Sequence, residues 1–154
     1  MKYFAIIDGE LESGLHITGV EGEVLTLQEL NEKADIQGKE YETIDASGDL
    51  KAEGTIVLNN IPISLEGRNA FEERFLGRAR AIEETPGFIA IRVLRPLNDE
   101  VYVVLTQWES EQAFRDWQSS SAYSKAHKRR HTAEGLDQRP GVLSKKPFHK
   151  LYTV

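Results

Sequence analysis

A chain of 154 residues with 40% hydrophobic and 29% charged side chains is sized for one globular domain or two small intertwined halves. The absence of cysteine excludes disulfides, zinc–thiolate sites, iron–sulfur clusters and a Cys nucleophile, and without an apolar run of about 18 residues no membrane span is expected. The net charge of −6 is uneven: residues 1–55 carry four basic and thirteen acidic side chains, residues 56–121 seven and ten, and residues 122–154 eight and two, which argues against a whole-chain nucleic-acid binder and leaves a basic tail suited to a carboxylate or a phosphate.

The opening MKYFAIIDGELES has one lysine and a short apolar run that ends in acids. It reads as a first strand over residues 2–7, not a signal peptide, and with the lack of cysteine it points to the cytoplasm. A turn through DGELESG leads to two short strands in LHITGVEGEVLTLQEL, joined around Val20–Glu23. NEKADIQGK is polar and reads as an irregular stretch or a short helix, and EYETIDASG as a fourth strand. This acidic, strand-rich half shows no chemistry, and His16, between Leu15 and Ile17, reads as a structural histidine. Asp49–Gly54 is a polar joint, so the chain is expected to divide into residues 1–53 and 54–154.

The second half begins with TIVLNNIPIS, a strand with two asparagines in its middle. EGRNAFEERFLGRARAIEET follows as a helix whose Phe71, Phe75, Leu76, Ala79 and Ile82 form one apolar stripe. Pro86-Gly87 stops it. FIAIRVLRPL and EVYVVLTQWE alternate and meet at Asn98-Asp99, a hairpin pattern. SEQAFRDWQ reads as a helix N-capped by Ser110 with acids in its first turn. Ser119 to Ser121 break that helix and are placed to cap another, AYSKAHKRR; a loop and a final strand, FHKLYTV, complete the chain. The order β-α-β-β-α-β is that of a ferredoxin-like α+β unit. On element order alone, the strand-rich first half reads as a degenerate copy of it.

Three residues stand out. Asn is depleted in strands because its side chain competes for backbone hydrogen bonds. Two in succession imply either a bulge or an amide aimed into a cavity, and alternation sends Asn59 and Asn60 to opposite faces. His127 lies on the apolar side of its helix with Ala122, Tyr123 and Ala126; it reads either as a satisfied structural histidine or as a ligand. His131, one turn on, allows a zinc pair, but no third ligand stands near. A neutral imidazole also suits haem iron. Trp117 follows Phe114 by one helical turn, as a core aromatic or as a wall for a flat ligand; Trp108, at a strand end, reads as core. Lys128 to Arg130 suit either solvent and helix-end carbonyls or an anionic ligand edge. There is no G-x-S-x-G, P-loop or G-x-G-x-x-G.

NNIPISLEGR, EERF, PGFIAIRVLRPL and TQWESEQAFRDWQSSSAYSKAH together resemble the antibiotic-biosynthesis-monooxygenase (ABM) family, in particular its Isd-type haem-degrading monooxygenases and the longer HmoB-like branch. The resemblance covers residues 54–131. It implies a dimeric-type α+β barrel completed within one chain, with residues 1–53 standing in for the partner and one site per chain. It also implies that His127, ten residues after Trp117, is the proximal iron ligand. Asn60 becomes a hydrogen-bond donor towards dioxygen at the iron or a meso carbon, and Trp117 the residue that presses the porphyrin out of plane. Haem is then substrate and cofactor together, with O2 and an external electron donor, a reductase or a small reductant, and the protein is a monomer or weak homodimer. Two alternatives stand beside this reading. One is a haem-binding protein of the stress-signalling kind described in this branch as TRAP; the other is a cofactor-free oxygenase acting on a polyphenol.

Overall fold

The computed structural model describes residues 2–33, 39–77, 81–120 and 147–154. Eight strands, β1 (Tyr3–Asp8), β2 (Leu15–Gly19), β3 (Val24–Leu30), β4 (Lys39–Ser47), β5 (Thr55–Pro62), β6 (Phe88–Pro96), β7 (Val101–Trp108) and β8 (Phe148–Thr153), close into a barrel. The order around it is β1-β3-β2-β8-β5-β7-β6-β4, and every paired neighbour is antiparallel. Within each half the four strands take the same spatial order, fourth, first, third, second: β4-β1-β3-β2 and β8-β5-β7-β6. That is the antiparallel ferredoxin-like sheet, present twice. The two seams are equivalent too, since each joins the fourth strand of one half to the second of the other. The β4–β6 seam runs from Tyr41↔Pro96 to Ser47↔Ile91 with a bulge between Thr43 and Asp45, whereas β2–β8 has only Thr18↔Thr153 and Gly19↔Tyr152. Closure gives every described strand a partner on both sides, a guard against edge-to-edge aggregation.

Alternation sends one side chain of every pair into the barrel. The interior is one cluster drawn from all eight strands, with Phe4, Ile17, Leu27, Ile56, Leu58 and Leu105 among its members. Burying each such side chain contributes roughly 1.5–3 kcal/mol, so this interior is the main source of stability. At one end Gln107, fully buried on β7, clamps the joint between the halves. Its Oε1 accepts from Lys51 N at 2.9 Å, and its Nε2 donates to the carbonyls of Lys51 (2.6 Å) and Glu53 (2.8 Å).

The halves differ in how they cross their own sheets. In the second, the helices α1 (Arg68–Leu76) and α2 (Glu111–Gln118) cover the outer face. In the first, β1 reaches β2 through residues 9–14 alone, crossing β3 at close range. Thr26 Oγ1 donates to the Gly9 carbonyl at 2.7 Å and accepts from Leu11 N at 3.0 Å. Gly14 sits at φ +115°, and a Cβ there would meet Leu27 O at 2.6 Å and Thr26 Cγ2 at 2.7 Å, so only glycine permits the crossing. No helix occurs among the described residues of this half.

The expected strands and hairpins are all present. The expected long helix over residues 66–85 is shorter. It opens with a 3-10 turn, Leu65–Gly67, whose Gly67 N–H is held by Ser64 Oγ at 3.1 Å, and α1 ends at Leu76 with Gly77 as its cap. A second 3-10 turn, Ala81–Glu84, precedes β6. In the expected stripe, Phe71 is buried and Phe75 and Ile82 pack behind it, but Leu76 is 42% exposed. One residue past Phe75, it is rotated about 100° away from the sheet. Ala79, the rest of NEKADIQGK from Ala34 to Gly38, and the expected helix AYSKAHKRR lie outside the described residues.

Candidate functional site on the helix-covered face

β5 keeps unbroken register with β7 from Thr55 to Pro62 and with β8 from Thr55 to Asn60, so its side chains alternate without interruption. Ile56 and Leu58 belong to the barrel interior, and Val57 and Ile61 to the clusters beneath the helices. Asn60 therefore shares the interior face. Its Nδ2 donates to the Leu58 carbonyl at 3.2 Å. Asn59 shares the outer face, flanked along the strand by Val57, under α2, and by Ile61, under α1. Across the sheet it stands opposite Val104 on β7 and His149 on β8. Asn59 is thus a polar, half-buried residue where the two apolar outer clusters meet.

Trp117 reaches the same face from α2. That helix starts at Ser110, whose Oγ accepts from Ala113 N at 3.2 Å, with Glu111 in the first turn complementing its positive end. It seats closely because Gly87, at φ +84°, lies under Ala113, where a Cβ would come within 2.5 Å of the alanine methyl. Trp117 is half-buried and packs against the cluster of Val57, Trp108 and Phe114, as Leu151 also does; Val57 and Leu151 stand two before Asn59 and two after His149. Its ring lies 5.6 Å from Trp108 and 6.2 Å from Phe114, centroid to centroid. Trp108 is fully buried beneath, its Nε1 donating to Thr106 Oγ1 at 2.9 Å, as a core residue should. The exposed His149 sets its ring edge-to-face on Phe114, with centroids 5.9 Å apart and planes at 67°.

The structure therefore brings Trp117 to one face with Asn59 and His149, and it places Asn60 on the opposite side of the sheet from Trp117. His127, His131 and Lys128 to Arg130 lie outside the described residues. His149 escaped attention in the sequence; the available signal was its alternation with Leu151 in FHKLYTV, which joins the two on one face. His16 donates to the Leu11 carbonyl and lies 3.6 Å from Glu10, a structural arrangement. Among the described residues no three His, Asp or Glu side chains are grouped to hold a metal.

A second polar cluster stands behind α1. Arg95 on β6 binds Glu72 of α1 and Glu42 of β4, and Tyr102 Oη donates to Glu72. The Arg95 guanidinium holds the Glu72 carboxyl below the usual carboxylate range, and burial together with Glu72 pushes the Tyr102 phenol up. The cluster ties α1 to strands of both halves.

Residues 55–129 match the family model described as antibiotic biosynthesis monooxygenase. A mycobilin-producing heme oxygenase of Mycobacterium tuberculosis is 38% identical over 68 residues, which are 44% of this chain and 65% of that protein. The chain thus spans just under two thirds of that relative's length. A solved structure of a heme-degrading enzyme from Listeria monocytogenes superposes with a TM-score of 0.69 at 21% identity, covering 99% of both chains, and establishes the shared fold. A structure of the M. tuberculosis heme-degrader with two hemes bound in its active site gives a TM-score of 0.51 at 29% identity, over 65% of this chain and 94% of that one. Among the described residues no helix is long and apolar enough to cross a membrane.

Proposed function

The chain carries an antibiotic biosynthesis monooxygenase domain over residues 55–129, and from that premise we propose that it is a haem-degrading monooxygenase. The reading is carried by the outer face of β5, where Asn59 interrupts an apolar floor and Trp117 stands over the same face, in a domain 38% identical to a protein named a heme oxygenase. A flat, largely apolar macrocycle suits that arrangement: aromatic surface from Trp117 and an amide from Asn59 beside apolar side chains.

In this reading the Asn of the site is Asn59. Its Nδ2 would donate a hydrogen bond to a ligand oxygen on the helix side, since this is the position on β5 where an amide meets that face. Asn60, turned into the barrel, has a structural role. Trp117, braced from below by Trp108 and from the side by Phe114, supplies a rigid wall that holds the substrate ring against the sheet and excludes water. His127, ten residues after Trp117, is the proposed iron ligand on the strength of the family resemblance. Haem, when bound, supplies the iron that activates O2 against its own ring, with electrons from a reductase or a small reductant. Residues 1–53 are proposed to be a degenerate ferredoxin-like half that completes the barrel in place of a second chain, so a monomer or weak homodimer is expected.

Titrating the protein with haemin should produce a Soret band that His127→Ala abolishes. A reductant in air should then bleach the band and release iron. Survival of the bound haem under reductant would sink the enzymatic reading and leave a haem-binding protein; absence of a Soret band would sink both.

A further inference from the structure

The side chain of Trp108 has one polar atom, its indole N–H, and the protein encloses the ring completely. Nε1 donates to Thr106 Oγ1 at 2.9 Å. Thr106 precedes Trp108 by two residues on β7, so both side chains stand on the helix-covered face. The cluster around the indole is apolar, with Val57, Phe88 and Phe114 in it. An N–H left without an acceptor there would keep its full desolvation penalty, and the Thr106 hydroxyl meets that need. The bond also selects the rotation of the ring. A torsion onto a flat ring, such as χ2 of Trp, has broad minima. Thr is β-branched and stiff at χ1, and β7 keeps unbroken register with β5 from Val101 to Trp108. Thr106 Oγ1 is therefore a fixed point, and the bond to it holds the indole at one angle within its broad well.

Trp108 in turn carries the aromatic surface of the site. Its ring stands edge-to-face with Phe88, the centroids 5.8 Å apart and the planes at 82°. On α2, Phe114 lies 6.0 Å away with planes at 57°, and Trp117 lies 5.6 Å away with planes at 33°. Trp117 also packs on Phe114, at 6.2 Å. Both of these supports of Trp117 therefore meet at Trp108, and a turn of the Trp108 ring would tilt the surface on which Trp117 lies. We propose that Thr106 is a positioning residue for the site: its hydroxyl fixes the rotation of the Trp108 ring and, through that ring, the angle at which Trp117 meets a bound macrocycle. This rests on the haem reading given above, through the part taken there by Trp117, and it concerns the angle of the wall, not the holding of the iron.

The experiment compares wild type with Thr106→Val, which keeps the shape and removes the acceptor, and with Thr106→Ser, which keeps the hydroxyl. Trp108 and Trp117 are the two tryptophans of the chain. At 5.6 Å their indole transitions couple and give an exciton couplet in the far-ultraviolet circular dichroism, which Trp108→Phe or Trp117→Phe should each remove. The couplet depends on the angle between the rings, so Thr106→Val should diminish or invert it and Thr106→Ser should preserve it. With saturating haemin and a reductant in air, Thr106→Val should bleach the haem about tenfold more slowly, less than the ~10²-fold loss of a 1 Å misplacement, while its haemin affinity stays that of wild type. Thr106→Ser should match wild type in rate as well. An unchanged couplet in Thr106→Val overturns the proposal. So does an altered couplet with an unchanged bleaching rate, which makes Thr106 a core residue only. An equal loss in Thr106→Ser also overturns it, since packing and not the hydrogen bond would then be responsible. Should the Val variant not fold, Thr106→Ala takes its place under the same expectations. If wild type fails to bind or to bleach haemin the underlying haem reading falls; if it does both and the Val variant matches it, only the role of Thr106 falls.

Discussion

The two halves of the barrel arrange four strands in the same order, but they cross their sheets by different means. The first crosses β3 with residues 9–14, a bare backbone strap pinned to Thr26 and closed down onto Leu27 at Gly14. The second takes residues 63–87 to make the equivalent crossing and lays α1 on the sheet; α2 follows after β7. Both solutions bury the outer strand face, since Ala5 and Thr26 in the first half are as inaccessible as Trp108 in the second. Only the second produces two apolar clusters with a boundary between them, and Asn59 stands on that boundary. In the second half the clusters under α1 and α2 adjoin, with Ile82 and Phe88 packed against both, and the line where they meet is the seam. Barrel closure accepts either device, and the proposed haem site lies on the face that the helices cover.

The largest effect should come from the seam itself. Asn59→Ala should slow reductant-driven bleaching of bound haem by about 10²-fold, the usual loss for one preorganised donor, and Asn60→Ala should leave the rate near that of wild type. The reverse result would place the reacting atoms inside the barrel and end the distinction between the halves drawn here. Next comes the strap. Gly14→Val must move the Leu27 carbonyl contact and occupy positive φ, at a cost of about 3 kcal/mol or more. Gly22→Ala, at φ +87° with open space around it, should cost about 1 kcal/mol. Denaturant unfolding of the two variants would show whether the strap is as indispensable as the helices.

The joint between the halves should matter somewhat less. Gln107→Ala leaves Lys51 N and two linker carbonyls to find other partners and should cost about 2 kcal/mol, read as a lower denaturation midpoint. The smallest effect is expected behind α1. Glu72→Gln should cost about 1.5 kcal/mol near neutral pH, at the low end for a charged hydrogen bond because Arg95 is partly exposed. The sign with pH follows from the lowered carboxyl: the stabilisation is complete above the unfolded-state value and is lost as pH falls through the folded one. The gap between wild type and Glu72→Gln in melting temperature should therefore close in acid; a gap that widened would mean the pair is not what ties α1 to the barrel.

Much of the scaffold was legible because each strand carries its own period. KYFAII, LHITG, FIAIRVLRPL and EVYVVLTQ alternate or run apolar between turn residues, and local geometry needs no more than that. Ser110 marked the start of α2 by its hydroxyl alone. The end of α1 was harder, since Leu76 and Ala79 extend the apolar stripe past the point where Gly77 stops the helix. His149 was passed over because a histidine in a terminal strand carries no local mark; its neighbours Asn59 and Phe114 are 90 and 35 residues away in the chain.

The asparagine pair separates what the chain determines by itself from what the fold decides. Two consecutive residues in a strand must face opposite ways, and the sequence alone settles that, because the pleat has a period of two. Which of them meets the site depends on which face the helices cover. That in turn depends on Val57 and Ile61 packing under α2 and α1 while Ile56 and Leu58 turn into the barrel. These contacts are made between segments far apart in the chain, so only the tertiary structure assigns the helix-covered face to Asn59 and the interior to Asn60.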